Sequence, residues 1–277
     1  MKIQYLGTAA CEGIPAIFCD CDVCTKSRSL GGRNLRTRSQ ALIDDTLLVD
    51  FPPDTYTHAL QYGISLTSIH ACLITHNHSD HLYAPEVENR KIGFCHTEED
   101  ALTFYGTAPA CRDIEHILCE AQMESHERIR IQEIEAFVPF TVQDYTVTPL
   151  EANHDPRTQP VIFIIEKEKE CLLYANDTGY FPESTWSYLE KNRPLFSLIS
   201  LDCTEAMTGL RSGHMSLEAV RDVRRRLLEQ GNASENTTFV LNHFSHNGRV
   251  THDELVPLAQ AEGFVAAYDG MVWETGI

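Results

Sequence analysis

Short apolar runs recur along the chain at strand length, and amphipathic stretches fall between several of them. Lys2 to Leu6 opens the series, followed by a Gly-containing loop. Ala41-Leu42-Ile43, an Asp44-Asp45 turn and Thr46 to Asp50 read as a hairpin. Pro53 to Tyr62 reads as a helix, with Pro at its start and Gly63 just past its end. Ala71 to Thr75 is a short apolar strand. Leu102 to Tyr105, Tyr145 to Leu150, Val161 to Glu166, Cys171 to Tyr174, Leu195 to Leu201 and Thr238 to Leu241 continue the strands. The clearest helix is Ser216 to Gln230, with Ser216 as N-cap and Gly231 as stop. Strands outnumber helices, the two interleave, and no Pro/Gly/Ser-rich linker divides them. A single α/β domain over 1–277 is the expectation.

With 43% hydrophobic and 22% charged residues, the chain reads as globular rather than disordered. The formal charge of −18 argues against a protein that coats nucleic acid. It leaves anionic substrates open, because bound divalent ions can dominate a local field. No run approaches the roughly 20 apolar residues of a membrane span. The N-terminal apolar run is broken by Gly7 and Glu12, so a cytoplasmic location is expected. Three of the ten cysteines, Cys19, Cys21 and Cys24, crowd together, which suits a reducing compartment with one metal knot.

Thr75-His76-Asn77-His78-Ser79-Asp80-His81 follows directly on an apolar strand, where α/β folds gather ligands. His76 and His78 point to one side of an extended chain. Asp80 and His81 come as the backbone turns, and can serve a second ion some 3.5–4 Å away. The pattern H-x-H-x-D-H after a hydrophobic strand resembles the metallo-β-lactamase superfamily. Three later residues, each closing an apolar run, match the remaining ligands in order: His154, Asp177 and His243. The resemblance covers nearly the whole chain and implies an α/β, four-layer αβ/βα sandwich with two central mixed sheets. It also implies two divalent ions, Zn2+ or Mn2+. One takes His76, His78 and His154, the other Asp80, His81 and His243, with Asp177 between them.

Cys19-Asp20-Cys21-Asp22-Val23-Cys24 has the short spacing of a tetrahedral zinc site that lacks one ligand. Asp20 and Asp22 are expected to raise the thiol pKa values rather than activate a nucleophile. The cluster is similar to the knot of the PhnP-type phosphodiesterases of phosphonate breakdown, which a downstream histidine completes. His246 is the matching residue, giving a structural Zn2+. Leu6-Gly7-Thr8, Gly13-Ile14-Pro15 and Tyr268-Asp269-Gly270-Met271 also resemble that group.

The chemistry so implied is hydrolysis of a small, perhaps cyclic, phosphodiester by metal-bound hydroxide. His214 is the candidate general acid, with helix capping as its structural alternative, and Asp80 can assist proton transfer. Arg36 and Arg38 are candidates for holding a phosphate, although a basic stretch between strands is more often solvated surface. Glu12, Glu86 and Glu205 stay ambiguous, and His58, His70, His96, His116, His126 and His252 have no motif around them. Three competing functions share the ligand set or fold. They are a tRNA 3′-processing type endoribonuclease, an ester, thioester or lactone hydrolase, and a carrier resembling the pyrroloquinoline-quinone accessory proteins. The expected partner is a small-molecule phosphodiester, with nucleic acid disfavoured and no membrane. A homodimer is expected only as the commonest assembly.

Overall fold

The computed structural model describes residues 1–123 and 128–275, so His126 lies outside the described residues. The chain first lays down β1 (Lys2–Gly7), β2 (Gln40–Ile43), β3 (Leu47–Val49), β4 (Ala71–Leu73), β5 (Leu102–Gly106) and β6 (Ile129–Glu133). It then builds β7 (Phe140–Val142), β8 (Tyr145–Glu151), β9 (Val161–Lys167), β10 (Glu170–Ala175), β11 (Leu198–Asp202), β12 (Thr238–Asn242) and β13 (Val265–Ala266). Finally β14 (Val272–Glu274) returns to pair with β1. The result is two seven-stranded mixed sheets, ordered β14-β1-β2-β3-β4-β5-β6 and β13-β12-β11-β10-β9-β8-β7. Each has an antiparallel part and a parallel part, the latter from β3 to β6 and from β10 to β13. This is the two-sheet α/β sandwich that the resemblance implies.

The period-2 alternation of strand side chains decides which core each residue joins. Ile3 and Tyr5, Ala41 and Ile43, Leu47 and Val49, and Ala71 and Leu73 enter the large cluster shared with the second sheet. Their neighbours Leu6, Leu42, Leu48 and Cys72 enter a smaller cluster of their own. Both faces of β2, β3 and β4 are therefore buried, which explains why these strands read as continuous apolar runs.

The expected hairpin forms between β2 and β3, with Asp44 and Asp45 both at positive φ. Among the described residues six α-helices connect the strands: α1 (Asp22–Leu30), α2 (Thr55–Tyr62), α3 (Ala108–Glu120), α4 (Glu183–Asn192), α5 (Leu217–Gln230) and α6 (His252–Ala261). α2 starts two residues later than expected, and β11 three residues later, because Leu195 is exposed and only Leu198 enters the ladder. α1, α3, α4 and α6 were not singled out from the pattern. None of the described helices is long and apolar enough to cross a membrane.

The Ser216 hydroxyl accepts the Ala219 N–H at 3.4 Å, and Gly231 ends α5 in the left-handed conformation, as expected. Ser216→Ala should cost about 1 kcal/mol. The expected readout is a lower urea midpoint with unchanged slope; an unmoved midpoint would show that this cap contributes nothing.

Candidate metal centre

The loops that leave β4, β8, β10 and β12 carry the expected ligands to one place. His76 Nε2 lies 2.9 Å from His78 Nδ1, and His154 Nε2 lies 3.1 Å from the same atom. Next to this group, His81 Nε2 sits 3.1 Å from His243 Nε2 and 3.3 Å from Asp80 Oδ2. A single oxygen joins the two groups: Asp177 Oδ2 is 3.2 Å from both His76 Nε2 and His81 Nε2.

Neutral ring nitrogens aimed at one another without protons repel. Around a tetrahedral zinc, however, ligand nitrogens at 2.0–2.1 Å stand about 3.3 Å apart. The outward nitrogens decide which case applies, because each holds the tautomer that frees its inward lone pair. His81 Nδ1–H donates to Asp50 Oδ2 at 2.7 Å. Thr75 Oγ1 gives its proton to Asp50 Oδ1 and so accepts from His76 Nδ1–H at 3.1 Å. Thr204 Oγ1 accepts from His243 Nδ1–H at 2.8 Å, and His154 Nδ1–H donates to the Gly213 carbonyl at 3.1 Å. His78, the most exposed of the set, has Nε2 3.6 Å from Asp155 Oδ2. The donor set therefore fits two divalent ions.

The field agrees with that fit. Burial opposes a charge on His81, yet Asp80, Asp50 and Asp177 raise it well above the ordinary histidine value, so the carboxylates make a field in which bound cations would take the place of that proton. Burial opposes ionisation of Asp177 as well, but His243, His214, His76 and His81 hold its carboxyl well below the carboxylate range. Asp177 Oδ1 lies 3.1 Å from His214 Nδ1 and 3.3 Å from His154 Nδ1, but no N–H is aligned on it. It is a buried acceptor turned toward the centre. Asp50, Asp177 and His243 all adopt positive φ, so backbone strain collects where the side chains converge.

His214 does not cap α5, since Ser216 does. Its Nδ1 lies 3.1 Å from Asp177 Oδ1 and 3.4 Å from Asp202 Oδ2. Burial would lower its pKa, but Asp177 and Asp202 outweigh burial and push it up to about 11. The loop that carries it passes close because residue 179 is Gly: a Cβ there would stand 2.7 Å from the Arg211 carbonyl oxygen. Asp202 is itself buried, accepting the Met215 and Thr204 N–H groups and the Thr204 hydroxyl. Its oxygens are spoken for, so it orients His214 and His243 rather than offering a ligand.

The fold brings the three clustered cysteines and His246 together. His246 Nδ1 lies 3.6 Å from Cys19 Sγ and 3.5 Å from Cys21 Sγ, and Cys24 completes the group from the first turn of α1. Edges of about 3.5–3.8 Å are what zinc with three thiolates and one imidazole requires. The expectation that Asp20 and Asp22 raise the thiols fails at Cys21. Burial pushes that thiol up, but hydrogen bonds from the Cys24 backbone, His246 and the neighbouring thiols bring it down to about 7. Cys24 moves the other way, to about 12, chiefly through burial.

Several orienting groups escaped the sequence. Asp50 and Asp202 each close an apolar run, which is the one signal they offered. Glu12 was ambiguous and stands behind the knot, 3.7 Å from His246 Nε2. Arg36 is buried rather than solvated. It donates to Thr8 Oγ1 (2.6 Å), the Ala267 carbonyl (2.7 Å) and His252 Nδ1 (2.8 Å), and its guanidinium lies 4.1 Å from the Phe244 ring centroid. Arg38 pairs with Asp54. Glu86 lines an apolar cavity of about 370 Å3 with Leu48, Phe51 and Ile69.

Two mixed sheets with a bridged cluster of histidines and carboxylates at one edge define a metal-dependent hydrolase architecture. The family model of the beta-lactamase superfamily domain matches residues 46–244, and the chain belongs to that family. Among curated proteins it is 29% identical to an octanoyltransferase of Porphyromonas gingivalis over 56% of this chain and 31% of that one. It is 26% identical to a ribonuclease Z of Listeria innocua over 63% of this chain and 52% of that one. The chain thus spans about a third to a half of the length of these relatives. Among solved structures, a diphosphatase of the PhnP family superposes with a TM-score of 0.76 at 20% identity, covering 100% of this chain and 98% of that one. Zinc-bound PqqB from Methylobacterium extorquens gives 0.77 at 19% identity, covering 99% and 100%. At these identities the likeness is one of fold.

His243 and His246 are three residues apart, and the Phe244 N–H and carbonyl between them bond to Thr8 and Ala10. Cys21→Ser should therefore lower hydrolytic activity by misplacing His243, although Cys21 is remote from any substrate. Full activity with intact metal content in that variant would sink the idea.

Proposed function

We propose that this protein is a metal-dependent phosphodiesterase acting on a small linear or cyclic phosphodiester. The observation that carries the reading is Asp177 Oδ2, shared at 3.2 Å by the two ligand groups, with His214 Nδ1 3.1 Å from its other oxygen. His76, His78, His154 and Asp177 would hold one ion, and Asp80, His81, His243 and Asp177 the other. When bound, two divalent ions supply an activated water at neutral pH and neutralise charge on the phosphoryl oxygens.

The residues add direction and a proton. His76, His81 and His243 are at most 1% exposed, whereas His78 and His214 are 38% and 27% exposed. Substrate therefore approaches over His78 and His214, and His214 is the group able to protonate a leaving alkoxide. Asp202 keeps His214 charged and oriented for that role. Asp80 stays ionised because His81 outweighs its burial, so it acts as a ligand rather than as an acid.

The same arrangement would serve a diphosphate bond, the substrate class of the PhnP-family diphosphatase named above. The match to a ribonuclease Z favours an endonuclease, but the net charge of −18 opposes a long polyanion.

Manganese- or zinc-loaded protein should hydrolyse bis(p-nitrophenyl) phosphate, and Asp177→Ala should abolish turnover. No turnover with both ions bound would move the reading to carbonyl substrates or to a carrier. His214→Ala should slow diesters with alkoxide leaving groups by roughly 10²–10⁴ while sparing p-nitrophenyl esters. An equal loss on both would remove His214 from the proton-transfer role.

A further inference from the structure

A string of buried and half-buried polar groups runs from the Tyr268-Asp269-Gly270 loop to Asp50. Gln40 donates through Nε2 to the Asp50 carbonyl (3.0 Å) and to Thr55 Oγ1 (3.0 Å). The Thr55 hydroxyl gives its own proton to the Pro52 carbonyl at 2.6 Å. Both partners of that Gln40 nitrogen can only accept, so the amide cannot be turned round. Gln40 Oε1 then faces His58 Nδ1 at 2.6 Å, and Nδ1 must carry a proton.

The other end of the His58 ring sets a conflict. His58 Nε2 lies 2.7 Å from Thr37 Oγ1, and that oxygen is also 2.7 Å from Asp269 Oδ2. Asp269 further accepts the Thr37 N–H at 2.6 Å. It also accepts the Thr8 hydroxyl at 2.6 Å, because Arg36 fills the acceptor side of Thr8. The Thr37 hydroxyl has one proton. A neutral His58 with Nδ1–H and an ionised Asp269 would both demand it, leaving one short contact with lone pair against lone pair. One additional proton removes the conflict. On Asp269 it lets Thr37 donate to His58; on His58 Nε2 it lets Thr37 donate to Asp269.

We propose that His58 and Asp269 share one proton through Thr37, and that this proton locks Gln40 onto Asp50 as a positioning residue for His81. Asp50 adopts a φ of 66° and pins His81 Nδ1 at 2.7 Å, so a hold on its carbonyl fixes the peptide that aims its carboxylate. Loss of the proton drives Thr37 and its neighbours apart, frees His58 from Gln40, and lets Asp50 and His81 turn. The surroundings favour retention on the Asp269 side. Burial brings His58 down to about 4, against a weaker opposing pull from Asp54. Burial raises Asp269, which Thr37, Thr8 and Arg36 only partly offset. Tyr62 of α2 also faces this string, with its ring 6.3 Å from that of His58, and burial and Asp269 keep its phenol protonated.

The proposal rests on reading the His81 cluster as a metal centre, and not on any substrate. The test is nitrogen NMR of the imidazoles in zinc-loaded protein between pH 6 and 9, together with zinc affinity at the active site. His58 should keep its proton on Nδ1 throughout without titrating. Thr37→Val should weaken the ion at His81 by about tenfold, the low end for an outlying support, and Thr37→Ser should restore it. A His58 that titrates near the ordinary 6.5, or carries its proton on Nε2, overturns the shared proton even if Thr37→Val fails to fold. A folded Thr37→Val with wild-type zinc affinity overturns the positioning role alone. Protein that takes up no zinc at the His81 cluster overturns the metal-centre reading and this role with it.

Discussion

Opposed imidazole lone pairs are the constraint around which this molecule is arranged. Facing nitrogens 2.9–3.1 Å apart would push their rings away unless each ring were held from behind. The holds come from both sheets. Asp50 and Thr75 follow β3 and β4 of the first, while Asp202 ends β11 of the second and Thr204 follows it. Neither sheet alone supplies a complete ligand group: His76, His78, Asp80 and His81 come from one, and His154, Asp177 and His243 from the other. The apolar cluster that joins the sheets is therefore what sets the separation of the ligands. A slip of one sheet past the other would open both groups at Asp177.

The strain follows from the same demand. Asp50, Asp177 and His243 each leave a strand and turn at once toward the centre, and each does so at positive φ. For a non-glycine residue that conformation costs roughly 1–2 kcal/mol. It persists because hydrogen bonds over-determine the local backbone. His243 shows how: its Nδ1–H is held by Thr204 Oγ1, and the next residue, Phe244, is pinned on both sides by Thr8 and Ala10. The neighbouring knot holds His246, and Arg36 stacks on Phe244 between the two histidines.

How much of this was legible in the sequence depended on whether the signal was local. His76, His78, Asp80 and His81 announce themselves because four ligands fall within six residues. His154, Asp177 and His243 could be read because each closes an apolar run in the expected order. Asp50 and Asp202 close such runs too, but a lone carboxylate after a strand carries no mark of what it will face. Arg36 was misleading for a different reason. Gly31 to Gln40 is polar enough to read as solvated, yet it lines the space between the knot and β1, where Thr8, His252 and Ala267 absorb the guanidinium's donors. α1 was hidden because Cys21 and Cys24, read as knot ligands, occupy its start. α6 did offer a cue, since Thr251 and Glu254 form a reciprocal capping box.

The knot and the centre are best understood as one mechanical unit. An ion held by Cys19, Cys21, Cys24 and His246 would close a loop between residues more than 200 positions apart. Such a closure restricts the unfolded chain, and in the folded one it fixes the segment from Asn242 to Gly248. That segment delivers His243 to the centre, while its own strand, β12, ends at Asn242. A strand end alone frays; a strand end tied four residues later does not. The polar string from Asp269 to Asp50 performs the corresponding service for His81 from the opposite sheet. The two residues whose Nε2 atoms face each other at 3.1 Å are thus each braced by a structure that lies outside the centre.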